Sequence, residues 1–237
     1  MKIDPMKPAN RYDWLLFDAD GTLFDYELAE ARALKAAFMD FQLPYGPATA
    51  ETYRAINHQI WQDFERGLIT STALRTARFE RLFESLQVQA DAARFSARYL
   101  QHLASASDLM AGAENVIRQL KEHYRLAIIT NGLKDVQYPR LEGSAIGAWF
   151  EVIAVSEEVG AAKPDPRFFD AAFKRMGQPP RETALVIGDS LSSDIQGGIQ
   201  YGLDTCWFNP ARRTPDPDLQ PTHQIAHLDE LLSLLLP

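Results

Sequence analysis

Five short apolar runs constrain the fold of this chain more than any other feature: Trp14–Phe17, Leu126–Ile129, Val152–Val155, Ala184–Ile187 and Thr205–Phe208. Each has the length of one buried strand. Helical patterns separate the last four. Val116, Ile117 and Leu120 precede the second run, and Phe168, Phe169, Ala172, Phe173 and Met176 precede the fourth. Strands alternating with helices imply an α/β fold, a parallel sheet covered on both faces. The stretch from about Leu28 to Leu103 breaks this rhythm. Leu34, Phe38 and Phe41 recur at helical spacing, as do Tyr53, Ile56, Ile60, Trp61 and Phe64, then Leu74, Ala77, Arg78 and Leu82. Four helices are expected there, divided near Pro44–Pro47, Gly67–Thr70 and Gln87–Asp91. The chain thus reads as an α/β core, 1–24 and 108–237, interrupted by a helical insert, 25–107.

With 237 residues, 46% of them hydrophobic, the core needs no disulfide or structural metal for stability. The one cysteine, Cys206, excludes an intrachain disulfide framework and fits a reducing compartment. It lies in an apolar run and reads as a core thiol. Net charge is -8 without a basic stripe, so a nucleic-acid polymer is not an expected partner. A small anion still is, because a local cationic pocket needs no basic surface. Met1 to Arg11 is polar, with no signal-peptide stretch, and no window reaches membrane-spanning length. The expectation is a soluble cytoplasmic protein, monomer or dimer, without a membrane partner. Pro210 to Pro221 reads as a surface loop carrying a solvated pair, Arg212 and Arg213, and Leu228–Leu236 as a terminal helix.

The chemistry is concentrated where strands end. Asp18-Ala-Asp-Gly-Thr follows the first run directly. Two carboxylates this close repel unless a cation or a shared proton relieves them. Ile128-Ile-Thr-Asn-Gly132 ends the second run, and Val186-Ile-Gly-Asp-Ser190 ends the fourth and continues to Asp194. Lys163-Pro-Asp-Pro166 precedes the Phe168 helix. In open α/β sheets ligands bind outside the carboxyl ends of strands, so residues distant in sequence can converge there. Singly, each motif also has a reading as a helix cap or turn: Thr130 and Asn131, Asp189 and Ser190, or Asp165 before Pro166. Capping does not account for the chain order of acid pair, hydroxyl and amide, lysine, and acid pair.

In that order the chain resembles the haloacid dehalogenase (HAD) superfamily of aspartate-nucleophile hydrolases. The four motifs it shares are Asp18-Ala-Asp-Gly-Thr, Thr130-Asn131, Lys163 and Gly188-Asp189 with Asp194. The resemblance implies a Rossmann-like HAD core with an inserted α-helical cap. It makes Asp18 the nucleophile of an aspartyl-phosphate intermediate and Asp20 the general acid and base. Thr130, Asn131 and Lys163 become the phosphate ligands. The implied cofactor is Mg²⁺, held by Asp18, Asp20 through its backbone carbonyl, Asp189 and Asp194. Haloalkanoic acid dehalogenases resemble the same fold but lack the second aspartate. A halide leaves without a proton and an alkoxide does not, so Asp20 favours phosphate-ester hydrolysis.

The insert narrows the resemblance. Asn57-His-Gln-Ile-Trp-Gln-Asp-Phe-Glu-Arg-Gly-Leu-Ile-Thr70, Arg78-Phe-Glu80 and Val155-Ser-Glu-Glu-Val-Gly160 resemble a branch of bacterial nucleoside 5′-monophosphatases that prefer pyrimidines. The expected partner is a small phosphorylated metabolite, a nucleoside monophosphate. Phosphoglycolate, a sugar phosphate, a sugar-phosphate mutase reaction and a catalytically idle binding role are the alternatives. Trp61, Phe64, Tyr45, Phe41, His58 and Asn57 offer the flat and polar groups a nucleobase needs, but aromatic residues at helical spacing also build cores.

Overall fold

The computed structural model describes residues 11–214 and 217–236. The polar segment 1–10 and Pro215 and Asp216 of the expected surface loop lie outside the described residues. In chain order the elements are β1 (Trp14–Phe17), α1 (Tyr26–Asp40), α2 (Pro47–Glu65), α3 (Ser71–Leu86), α4 (Ala92–Ala104), α5 (Ala113–Leu120), β2 (Arg125–Thr130), α6 (Lys134–Glu142), β3 (Val152–Val155), α7 (Ser156–Val159), α8 (Pro166–Arg175), β4 (Ala184–Gly188), α9 (Gln196–Tyr201), β5 (Asp204–Phe208), β6 (His223–Ile225) and α10 (Glu230–Leu235). Among the described residues the strands form one parallel sheet of order β3-β2-β1-β4-β5-β6. All five apolar runs become strands of it. The edge strand β6 has no counterpart among them. It is three residues long and carries His223 and Gln224, so no apolar run announces it.

Side chains alternate across the sheet, as the pleat requires. Leu15, Phe17, Leu126, Ile128, Leu185 and Ile187 pack on one face with Val116 and Ile117 of α5 and Leu231 of α10. Trp14, Leu16, Ala127, Ile129 and Val186 pack on the other with Phe168, Phe169 and Phe173 of α8. Register sets Phe17 level with Ile128 on β2 and Ile187 on β4, so the three central strands end within two residues of one another. The strand order turns outward from β1 in both directions, and that places the crevice at the carboxyl ends of β1, β2 and β4.

The four helices from Tyr26 to Ala104 follow local start and stop signals. Asp25 caps α1 by accepting from the Leu28 N–H, and Pro47 opens α2 with the φ a first helical turn needs. Thr70 caps α3 through the Ala73 N–H, and Asp91 caps α4 through those of Ala93 and Arg94. Together these helices enclose a separate aromatic core. Phe95 lies at its centre, with the rings of Phe38, Phe41, Phe79 and Phe83 at centroid distances of 5.0–5.1 Å. Phe95→Ala is expected to destabilise the protein by about 3–5 kcal/mol, because the cavity it leaves is walled by rings that cannot collapse into it. Urea unfolding measures this loss.

The chain leaves the sheet for these helices and returns by adjacent paths. The Asp25 N–H donates to the Asp108 carbonyl at 3.0 Å, the Met110 N–H to the Leu23 carbonyl at 2.8 Å, and Phe24 and Leu109 form an antiparallel bridge. Farther out, Arg75 of α3 forms a two-pronged ion pair with Asp135 of α6, both contacts 2.8 Å, and reaches Glu157 of α7 at 2.8 Å. No helix among the described residues is long and apolar enough to cross a membrane.

Candidate active site

β1 hands the chain to Asp18, whose N–H continues the sheet ladder to the Ile187 carbonyl at 2.9 Å. The carboxylate is therefore fixed at the sheet rim and almost fully buried. A turn follows, made possible by Gly21 at φ 86°. A side chain there would meet the Asp189 carboxylate at 2.9–3.0 Å, so glycine serves both the left-handed backbone and the approach of Asp189. The Thr22 hydroxyl donates to Asp189 Oδ1 at 3.3 Å. The backbone carbonyl of Asp189 is held by Trp207 Nε1 at 3.0 Å and Arg213 at 2.8 Å. Arg213 thus departs from the solvated reading. It is exposed, but it stacks over Trp207 and braces the loop after β4. Spacing from Trp207 gave no sign of this, since the intervening loop folds back.

Asp194 lies in a single π-helical turn, Leu191–Ile195, just before α9. Such turns recur at functional sites because they re-aim a side chain. Its carboxylate lies over Gly188, where any Cβ would overlap it, and its Oδ2 accepts from the Ser190 N–H at 3.1 Å. Lys163 completes the cluster from the loop before α8. Its ammonium donates to Asp18 at 2.7 Å, to Asp194 at 2.6 Å and to the Ile129 carbonyl at 2.7 Å. All three of its donors are used, and the side chain is 1% exposed. Asn131 secures that loop from both sides, donating to the Lys163 carbonyl at 2.9 Å and accepting from the Lys163 N–H at 2.8 Å. One N–H and the oxygen of its side chain are thereby taken up by the Lys163 backbone. Thr130 is buried, and its hydroxyl accepts from the Gly132 N–H at 3.0 Å while keeping its own proton to donate.

Three carboxylates, those of Asp18, Asp189 and Asp194, bring oxygens within 4.8 Å of one another. One ammonium faces them. The imbalance is visible in their protonation. Burial and the neighbouring carboxylates raise Asp18 well above the usual range in spite of Lys163. Burial, then the charge of Asp194, pushes Asp189 up to about 7. A cluster of hard oxygens short of positive charge suits a divalent cation such as Mg²⁺.

A cavity of about 190 Å³ opens over this cluster. Asp18, Thr130 and Lys163 form its floor, and Tyr26, Trp61 and Glu65 reach it from α1 and α2. Ser192 donates to Glu65 at 3.0 Å across the cleft. Of the aromatic and polar groups considered for a nucleobase, Trp61 lines the cavity. Phe41 and Tyr45 pack against the aromatic core, His58 is exposed and paired with Gln62, and Asn57 is buried between Glu30 and Arg78. Cys206 is a buried core thiol whose pKa burial pushes up to about 12.

Asp20 also lines the cavity, but its carboxylate stands outside the three-carboxylate group. Gln137 Nε2 donates to one of its oxygens at 2.5 Å, and Arg140 pairs with the other. Sequence reasoning missed Gln137, Arg140, Tyr26 and Glu65. All sit on helices, where a polar residue looks solvated until its neighbours are known.

A parallel sheet with an acid–lysine–acid cluster at the rim of its central strands defines a class of hydrolases, and comparison places the chain within it. The haloacid dehalogenase-like hydrolase pattern matches residues 12–202, and the chain belongs to that family. A Bacillus subtilis protein named as a HAD-hydrolase, YfnB, is 39% identical over 95% of this chain and 96% of its own. Its magnesium-bound crystal structure superposes with a TM-score of 0.91 at 38% identity, covering 96% of this chain and all of that one. Pyrimidine 5′-nucleotidase YjjG of Escherichia coli is 35% identical over 95% of this chain and 98% of its own. Pyrimidine 5′-nucleotidase PynA of Streptococcus pneumoniae is 33% identical over 94% and 95%.

Proposed function

We propose that this protein is a Mg²⁺-dependent phosphomonoesterase that hydrolyses nucleoside 5′-monophosphates, pyrimidines ahead of purines. The observation that carries the chemistry is the buried contact of Lys163 with both Asp18 and Asp194 beneath a cavity that Asp20 also lines. The pyrimidine preference rests on the two nucleotidase relatives, which span nearly the whole chain.

In this reading Asp18 attacks phosphorus and becomes an aspartyl-phosphate, dividing one hydrolysis into two easier steps. Asp20 gives a proton to the departing alcohol oxygen, then takes one from the water that cleaves the acyl phosphate. Thr130, the Asn131 backbone N–H and Lys163 hold the phosphoryl oxygens, Lys163 as a compact charge. Asp18, the Asp20 carbonyl and Asp189 would hold Mg²⁺, with Asp194 completing or orienting the set. When bound, the ion offsets repulsion between the nucleophile and the phosphate dianion. Residues 25–107 act as the cap over a core of 1–24 and 108–237. Trp61 and Tyr26, which face the cavity from the cap, meet the leaving nucleoside.

A panel of phosphorylated metabolites, scored by release of inorganic phosphate with Mg²⁺ present, tests this reading. Nucleoside 5′-monophosphates are expected to lead, and EDTA to abolish turnover. Phosphoglycolate or hexose phosphates ahead by a wide margin would overturn the nucleotide assignment. Isomer exchange in a hexose phosphate without phosphate release would replace hydrolysis by a mutase reaction.

A further inference from the structure

We propose that Gln137 and Arg140 are positioning residues that hold the Asp20 carboxylate in the orientation from which it transfers protons, a claim that rests on the acid–base role assigned to Asp20 above. They sit three residues apart on α6 and so share one helix face. Both are buried, at 1% and 0% exposure, which is rare for these residue types. Each engages a different oxygen of Asp20. Gln137 Nε2 donates to Oδ2 at 2.5 Å, and Arg140 Nη1 donates to Oδ1. Two donors from one helix fix the plane of the carboxyl group. The turn at Gly21 alone leaves that plane free to rotate.

Three further observations set this arrangement apart from an ordinary ion pair. Gly132 makes room for it, since a Cβ there would overlap the Gln137 amide. The fold also accepts a cost for it, because Gln137 Oε1 and Arg140 Nη2 are buried with no partner among the described residues. Finally, Arg140 Nε donates to the Ala106 carbonyl at 2.8 Å, and its guanidinium lies 4.5 Å from the Phe24 ring centroid. Phe24 and Ala106 belong to the segments by which the chain passes between sheet and helical insert. The orientation of Asp20 is thereby tied to both crossings.

In the first chemical step an Asp18 carboxylate oxygen bonds to phosphorus as the P–O bond to the alcohol breaks, the electron pair of the broken bond stays on the alcohol oxygen, and the Asp20 proton goes to that oxygen. Misplacing Asp20 should slow this step only where the leaving group needs the proton. The test is single-turnover release of the leaving group by the full-length enzyme with Mg²⁺. In Gln137→Met, release of the nucleoside from its 5′-monophosphate is expected to slow about 10- to 100-fold. Release of p-nitrophenolate from p-nitrophenyl phosphate departs without a proton and should slow less than about threefold. Arg140→Lys, which keeps the charge but loses the fork, should show the same discrimination, with thermal melting recorded for both variants. Equal slowing of the two substrates, no slowing, or faster turnover overturns the proposal. Asp20→Asn run alongside separates the two claims. Discrimination there but not in Gln137→Met overturns positioning alone, whereas its absence in Asp20→Asn overturns the acid assignment and positioning with it.

Discussion

Asp18→Asn is expected to lower kcat by roughly 10⁵-fold, the scale on which loss of a catalytic nucleophile is felt. The amide is nearly isosteric, and its oxygen can still accept from Lys163, which sits 2.7 Å from Asp18 Oδ1. What it cannot do is attack phosphorus. Stability should move the other way. Asp18 is raised well above the usual carboxylate range by burial and by the neighbouring acids, so its charge is a burden in the folded protein before any cation binds. The metal-free variant is expected to melt at or above the temperature of the parent. Phosphate release and a thermal melt check the two halves separately. Activity within tenfold of the parent would remove Asp18 from the role of nucleophile.

The second large effect is expected from Lys163→Met. The ammonium is the one cation in direct contact with Asp18 and Asp194 among the described residues, and it is 1% exposed. Taking away one partner of a buried pair leaves the other charge uncompensated, at a cost of about 3–5 kcal/mol. For a chain of 237 residues this lowers the melting temperature by roughly 10 °C. Activity should be lost as well. The double variant Lys163→Met with Asp194→Asn should be less destabilised than the sum of its parts, because the second change removes the charge the first has stranded. A single variant that melts with the parent would mean that water, rather than Lys163, compensates the cluster.

The effects of these two substitutions differ because of where the side chains come from. Asp18 is an extension of β1 and is held by the sheet whatever occupies the site. Lys163 sits in a loop before α8 and is held by Asn131 and by the acids themselves. Its loss therefore loosens the loop as well as the charge balance. The Glu65–Ser192 contact and the Arg75 ion pairs add links between the helical insert and the sheet, all partly exposed and so individually weak.

Much of this molecule is written locally. A strand buried on both faces of a parallel sheet is apolar at nearly every position, and the five apolar runs are legible for that reason. The edge strand β6 is legible to no such rule, because it is three residues long and two of them, His223 and Gln224, are polar. Caps and prolines mark the helices of the insert, since the groups that satisfy a helix end lie within three residues of it. The site motifs share this property in part. They fall where strands end, and a carboxylate at that point has one direction to face.

Sequence alone determined the architecture and the order of the helices, and it marked Asp18, Asp20, Thr130, Lys163, Asp189 and Asp194 as candidates for a site at the strand ends. Only the tertiary structure decided how the set is charged and aimed. Lys163 meets Asp18 across 145 positions, and Arg140 meets Asp20 across 120. Helical periodicity reports which stripe of a helix faces inward. It does not report which polar residue on that stripe will be enclosed, nor which charge waits on the other side. Gln137, Arg140, Glu65 and Tyr26 acquire their meaning from neighbours that packing supplies, and packing is a property of the whole chain.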